Sequence, residues 1–280
     1  MPVPIDPIVT QALTGLRPPG RVTLAGAGPG DPELLTVKAV RALARAEVVL
    51  YDHLVSDAVL ALVNPGAQRF YVGKEDRRHT MSQEQITELL VRLAQTGQPV
   101  LRLKGGDPYV FGRGGEEAQA LGRAGIPFEV IPGISAAQGM SAYAGIPLTH
   151  RDHASSVVFA TGHGRAGGDE PDWAALARPR QTVVVYMGVG ALSRVCQQLV
   201  AHGLRSDTPA AVVENATCPT QRVVRGSLLT LPALAKAQSV KAPALIVVGE
   251  VVALRDELGW FSADRTESGE VPCEAAINLE

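Results

Sequence analysis

Cysteine is scarce, with only Cys196, Cys218 and Cys273 in 280 residues. None sits in a C-x-x-C pair or beside a histidine at zinc spacing, so no disulfide framework or structural zinc is expected, and reduced thiols in a cytoplasm are. Aromatic residues make up 4% of a chain that is 46% hydrophobic, which leaves the core to aliphatic side chains. No run approaches the roughly 20 apolar residues of a membrane span. Met1 to Leu13 has neither an early Lys/Arg nor the apolar centre of a signal peptide. Neither sign of charge is in excess: 26 Lys+Arg stand against 28 Asp+Glu, which disfavours a general nucleic-acid binder. A strongly anionic ligand would therefore need a local basic cluster, because the whole-molecule field does not attract it.

What the chain has in quantity is glycine (29) and proline (20), scattered over many short loops. A folded chain of this length buries roughly 75% of its unfolded surface, enough for one large or two modest domains without covalent staples.

Apolar runs and cap signals place the elements. Val22 to Ala25 reads as a buried strand, followed by a Gly/Pro turn and a helix from about Glu33 to Ala46. Val48 to Tyr51 and Arg69 to Val72 are further strands, with a short helix near Asp57 to Leu62 between them. Ser82 and Gln85 form a capping box, and Ile86, Leu89, Leu90, Leu93 and Ala94 line one face of the helix that follows. Pro99 to Leu103 is a strand, Gly115 to Ala124 a helix, and Phe128 to Ile131 a strand. This alternation predicts a mainly parallel sheet covered on both faces. Beyond it the rhythm changes. Strands fall at 156–161, 182–187, 210–213, 222–226 and 244–248, with a helix over 191–201, and two successive strands without an intervening helix predict a mixed sheet. The chain is thus read as two α/β domains with a cleft between them: an arm over 1–20, domains over 21–133 and 134–261, and a polar tail over 262–280.

Three loops carry the chemistry. Gly26-Ala27-Gly28-Pro29-Gly30-Asp31 follows the first strand, where a dinucleotide fingerprint would sit, but its spacing is G-x-G-x-G and Pro29 removes a backbone N–H. Asp52 after the second strand keeps a nicotinamide reading open, and a plain tight turn is the other alternative. Lys104-Gly105-Gly106-Asp107-Pro108 ends a strand, and Phe111 to Glu117 adds a second glycine cluster. Gly105 and Gly106 would let a ligand lie against bare backbone, with Asp107 accepting from an amino group or ribose hydroxyls. The plain alternative is Asp107 as an N-cap beside loop glycines. Pro132 to Ala137 is a turn entering a small-residue helix, which suits a close ligand or close packing alike.

Taken together, and in this order, the segments Gly26 to Asp31 (GAGPGD), Tyr51 to Ser56 (YDHLVS), Arg102 to Glu117 (RLKGGDPYVFGRGGEE), Val130 to Ala136 (VIPGISA), Ser141 to Asp152 (SAYAGIPLTHRD) and Pro243 to Gly249 (PALIVVG) resemble the tetrapyrrole methylase family, over about 21–261. The resemblance implies methyl transfer from S-adenosylmethionine, leaving S-adenosylhomocysteine, to carbons of a reduced tetrapyrrole bearing many carboxylates, on a path to cobalamin or sirohaem. It implies cofactor contacts at Pro29, Gly105, Gly106, Asp107, Val110, Ser135, Ala136, Met187 and Ala216, with Asp52 as proton acceptor and Lys74 as proton donor. At Ala216 many relatives have Gly, and at Ser135 Thr is also common; both residues here are small. A homodimer without metal, nucleic acid or membrane partner is expected, and so is a stand-alone enzyme, because no fused dehydrogenase and chelatase module is recognisable.

The residues themselves leave some roles open. Asp52 is a base or a turn cap ahead of Leu54, and Lys74 donates a proton or pairs with a substrate carboxylate. Lys74, Arg77, Arg78, Lys104, Arg113 and Arg151 fall in or beside the motif loops as a basic lining, with Arg113 and Arg151 the best candidates for substrate carboxylates. His150 and His153 have no third partner at metal spacing.

Overall fold

A computed structural model of the protein describes residues 18–73, 81–162 and 170–261. Two compact units emerge, Met1–Ala136 and Ala137–Glu280, each built on a five-stranded sheet.

In the first unit, strands β1 (Val22–Gly26), β2 (Val48–Tyr51), β3 (Gln68–Tyr71), β4 (Val100–Lys104) and β5 (Phe128–Ile131) lie in the order β3-β2-β4-β1-β5. Every pairing is parallel, so the expected mainly parallel sheet is wholly so. Parallel neighbours need long crossovers, and helices α1 (Val37–Arg45), α2 (Gln83–Gln95) and α3 (Gly114–Arg123) supply three of them. Strand residues alternate between faces. Ala25, Val49, Leu101 and Leu103 meet Ala39 and Leu43 of α1, whereas Val22, Leu24, Val48, Leu50 and Val100 meet Ile86 and Leu90 of α2 and Leu121 of α3.

The capping box of α2 is present in both directions, Ser82 Oγ accepting from Gln85 N–H and Gln85 Oε1 from Ser82 N–H. The helix expected from Glu33 instead begins at Val37. Thr36, in extended backbone, accepts from Ala39 N–H as N-cap, and Pro32–Leu34 form a separate 3-10 turn capped by Asp31. Gly20 is buried and donates to Ala94 O.

The order has a consequence for binding. From β1 the chain crosses toward β2, and from β4 it crosses the other way to β5, so the crossover helices α1 and α3 cover opposite faces. The carboxyl ends of β1 and β4 thus form a topological switch point, the usual ligand position in such sheets.

In the second unit, β6 (Ser156–Thr161), β7 (Gln181–Tyr186), β8 (Pro209–Glu214), β9 (Arg222–Ser227) and β10 (Ala244–Val248) lie in the order β6-β7-β10-β8-β9. Only β6 and β7 pair in parallel; the other three pairings are antiparallel, which makes the sheet mixed as expected. The carboxyl ends of β6, β7 and β8 therefore share one edge. Helices α4 (Ala136–Ala144), α5 (Leu192–Ala201) and α6 (Leu231–Ala237) accompany it. The last is not among the elements expected from the sequence; it is only two turns long, and Leu231 and Ala235 anchor it in the core. Trp260 and Phe261 pack on Tyr143.

Candidate active site

The site grows from three glycines at the carboxyl edge of the first sheet. A Cβ on Gly26 would stand 2.6 Å from Gly106 O and from Gly133 N, and one on Gly133 would stand 2.4 Å from Gly106 O. The loops after β1, β4 and β5 therefore touch backbone to backbone. Gly28 and Gly106 exchange hydrogen bonds, N–H to O, of 3.2 and 2.7 Å. At Gly26 and Gly133 the space a ligand could take is filled by the neighbouring loops themselves. Gly105 is likewise occupied, its missing Cβ replaced by Leu54 Cβ at 2.5 Å.

Gly106 differs. Its φ of +66° suits glycine, and an added Cβ would stand 3.4 Å from Ala136 N, at the start of α4. Asp107 braces this floor: its Oδ1 accepts from Tyr109 N–H (2.8 Å) and its Oδ2 from Gly133 N–H (3.0 Å), tying the β4 loop to the β5 loop. Each carboxylate oxygen keeps a second lone pair for a ligand donor. Val110 N–H bonds Asp107 O, Ser135 is buried, and Pro29 and Ala136 are half-buried. Seven of the nine expected cofactor residues thus gather at the carboxyl ends of β1, β4 and β5. An acidic acceptor beside bare glycine backbone is chemistry suited to the amino group or ribose hydroxyls of S-adenosylmethionine. It does not fit the dinucleotide alternative. The first glycine loop leads into a 3-10 turn, with α1 starting only at Val37, so no helix N-terminus faces a pyrophosphate there.

The other two candidates, Met187 and Ala216, lie in the second unit, in the loops leaving β7 and β8 on the shared carboxyl edge. Met187 holds a left-handed φ of 53° while half exposed, Asn215 beside Ala216 has φ 49°, and the buried, β-branched Thr217 has φ 69°. Asn adopts this region readily, but in Met187 and the β-branched Thr217 it is strained, and strain of this kind concentrates at binding loops. Gln221 holds the turn by accepting from Thr217 N–H and donating to Tyr143 O. Arg151 is exposed in its loop, and its carbonyl accepts from Arg180. Arg113, half exposed in the first unit, is paired with Glu116, which raises its pKa through that hydrogen bond. Lys74, Arg77 and Arg78 lie outside the described residues.

Asp52 follows β2 and holds two partners. Its Oδ1 accepts from Leu54 N–H (3.1 Å), the turn-cap role, and its Oδ2 accepts from Arg102 Nη2 (3.2 Å). Both readings of Asp52 are therefore compatible with one geometry, because its side chain retains 20% exposure. Behind it lies a charged cluster that the sequence reading missed. Arg102 and Lys104 point from β4 into the α2/α3 side, almost fully buried, and Arg102 Nε (3.3 Å), Lys104 Nζ (3.0 Å) and Gln83 Nε2 (2.9 Å) all donate to Glu117 Oε1. Glu117 is wholly buried on α3. Burial, and then the neighbouring Arg102, push the Lys104 pKa down against the opposing pull of Glu117. Lys104 was expected in a basic ligand-facing lining; it is an interior ion instead. A signal was present: two cations two residues apart in an otherwise apolar strand share one buried face and require a counter-ion.

Among the described residues there is no group of three or more His, Cys, Asp or Glu able to hold a metal, and no helix is long and apolar enough to cross a membrane.

A parallel sheet with glycine-packed loops at its carboxyl edge, followed by a mixed sheet, defines a class of two-unit α/β proteins, and comparison with known proteins narrows it. Residues 21–232 match the model of the tetrapyrrole (corrin/porphyrin) methylases, and the chain belongs to that family. A siroheme synthase of Nitrosomonas eutropha is 54% identical over 257 residues, 91% of this chain and 54% of that protein. The chain thus spans about half the length of the curated relatives it matches. A crystal structure of the uroporphyrin-III C-methyl transferase from Thermus thermophilus, complexed with S-adenyl homocysteine, is 46% identical with a TM-score of 0.72, covering 84% of this chain and all of that one. A cobalt precorrin-4 methyltransferase is 29% identical with a TM-score of 0.74, covering 83% of this chain and 95% of that one.

Proposed function

We propose that this chain is an S-adenosylmethionine-dependent C-methyltransferase that methylates uroporphyrinogen III at C2 and then C7, giving precorrin-2 by way of precorrin-1. The observation that carries the reading is the braced loop at the carboxyl end of β4, where Gly106 at φ +66° and the Asp107 carboxylate stand beside the start of α4, in loops whose sequences resemble the family. Likeness to the Thermus protein supports the substrate, since 46% identity extends over 84% of the chain.

When bound, S-adenosylmethionine supplies a methyl group on a positively charged sulfur, which keeps the bonding pair and leaves as the thioether. The protein's contribution is therefore in-line positioning and exclusion of water. Gly106, Asp107, Val110, Ser135 and Ala136, with Pro29, Met187 and Ala216, would hold that group. The macrocycle carbon supplies the electron pair for the new bond, so the ring system becomes cationic until a proton leaves. Asp52 is the acceptor we assign, because its carboxylate is partly exposed and oriented by fixed donors. Lys74 is assigned as proton donor from the family resemblance, and Arg113 and Arg151 as partners of substrate carboxylates.

Incubation with uroporphyrinogen III and methyl-labelled S-adenosylmethionine should place two labelled methyl groups on the tetrapyrrole. No label there would defeat the reading. The precorrin-4-type neighbour defines the competing substrate, an already methylated corrinoid precursor, and faster transfer to it would move the assignment to that step.

A further inference from the structure

Glu117 is the one wholly buried carboxylate among the described residues, yet three donors converge on its Oε1, while its Oε2, also buried, has no hydrogen-bond partner there. Cohesion is a poor account of it. Removing ions from water costs several kcal/mol each, and buried ion clusters are often replaceable by apolar side chains at no loss of stability. A single oxygen shared by Arg102, Lys104 and Gln83 is also not the best satisfaction of those groups. What the arrangement does achieve is the orientation of Arg102. Its guanidinium is pinned at three corners, Nε to Glu117 Oε1, Nη1 to Leu103 O at 2.7 Å, and Nη2 to Asp52 Oδ2 at 3.2 Å. Because the guanidinium is planar and its donors are rigidly spaced, moving the first corner moves the third.

Charge counting gives the same direction. The cluster holds two cations, Arg102 and Lys104, and two carboxylates, Glu117 and Asp52. With Glu117 present, Asp52 needs to balance only one cation and keeps lone pairs for an incoming proton. Without the Glu117 charge, Asp52 becomes the sole anion facing two buried cations. The guanidinium is then drawn onto it, and its ability to accept a proton falls.

We propose that Glu117 is a positioning residue for proton removal: by anchoring Arg102 and balancing Lys104 from the interior, it holds the Asp52 carboxylate aimed and available at the carboxyl end of β2. This rests on the assignment of Asp52 as proton acceptor. The step it serves is the one after methyl transfer, in which the cationic macrocycle gives one proton to Asp52 and becomes neutral.

The test is a double-mutant cycle with uroporphyrinogen III and S-adenosylmethionine. Glu117→Gln keeps the shape and removes the charge. It should lower kcat about 10–100-fold, part of the ~10²–10⁴ that general-base catalysis supplies. KM for the tetrapyrrole and the affinity for S-adenosylhomocysteine should stay within about twofold, because neither ligand group is contacted. Asp52→Asn should lose most turnover, and the double variant should be no slower than Asp52→Asn alone, because residues acting in one chain are not additive. Should Glu117→Gln not fold, Glu117→Asp takes its place; it keeps the charge but withdraws it from Arg102 by one methylene, so it removes the anchoring alone and should give a smaller kcat loss, about 3–10-fold, at unchanged KM. The proposal is overturned by a wild-type kcat in the Glu117 variant that folds, by a parallel loss of cofactor affinity, or by additivity with Asp52→Asn. If Asp52→Asn itself turns over normally, the assignment of Asp52 has failed, and the inference with it. If only the Glu117 variants are normal, the inference alone has failed.

Discussion

At the scale of single residues, glycine and lysine positions that look alike in the sequence part company in the structure. Gly26 and Gly115 both belong to glycine-rich motifs, but a Cβ at Gly26 would meet backbone at 2.6 Å on two loops, whereas one at Gly115 would meet nothing within 4 Å. Gly26→Ala should therefore cost about 1–3 kcal/mol by overpacking against atoms that cannot yield. Gly115→Ala, in the first turn of α3, should be neutral or stabilise by up to ~1 kcal/mol. Urea denaturation of the two variants measures both. Lys104 offers a titration. Its pKa in the folded chain lies below the ordinary 10.5 because of burial. Between those two values the unfolded chain carries a proton that the folded chain has released, so stability rises with pH across that window. Cys196, pushed up to about 11 by burial, acts in the opposite sense above its ordinary 9.0. Lys104→Met retains Cys196, so the difference between wild type and variant isolates the lysine. That difference should move in favour of the wild type as pH climbs through the window, as read by denaturation at a series of alkaline pH values. A flat difference would show that Lys104 is not desolvated as the burial implies.

At the scale of elements, function depends on how loops are tied rather than on where helices stop. The loop after β4 is braced by Asp107, whose two carboxylate oxygens receive N–H groups from Tyr109 in the same loop and Gly133 in the next. Hydrogen bonds to a charged group are worth about 1.5–3 kcal/mol each. Asp107→Ala should let the two loops separate and weaken S-adenosylhomocysteine binding by about tenfold or more in calorimetry, while helices α2 and α3 keep their circular-dichroism signal. Unchanged affinity would assign Asp107 to the turn alone. The capping box at Ser82 and Gln85 was legible because its two partners are three residues apart. The true start of α1 was not, because Thr36 and the Pro32 turn compete with Asp31 as caps, and only the packing of Ala39 and Leu43 on the sheet decides between them.

At the scale of the whole molecule, each unit has its own largely aliphatic core. The first unit packs one cluster on each face of its sheet, around Leu24, Leu90 and Leu121 and around Leu43, Leu101 and Leu103, and the second is built on Val195, Leu199, Leu231 and Ile246, all of them buried. The clusters share no residue. Leu121→Ala and Leu199→Ala should each cost about 2–5 kcal/mol, with the spread set by how far each site can collapse. Hydrogen exchange should show the lost protection confined to the unit that carries the change. Loss of protection throughout both units from either variant would mean that they unfold as one.

The chain order of apolar runs, the switch from a parallel to a mixed sheet and the motif loops were all determined by the sequence, since each depends on local periodicity or on a few adjacent residues. That Asp52, Gly106, Asp107 and Ser135 would fall at one edge also followed, because parallel strands put every strand-to-helix loop on the same side. Tertiary structure alone decided which glycines face one another and which carboxylate answers the two cations of β4. Gly26 meets Gly133 across more than a hundred residues, and Lys104 meets Glu117 only because β4 presents its even-numbered side chains to α3. Those pairings depend on register and on helix placement in space, and residue order along the chain encodes neither.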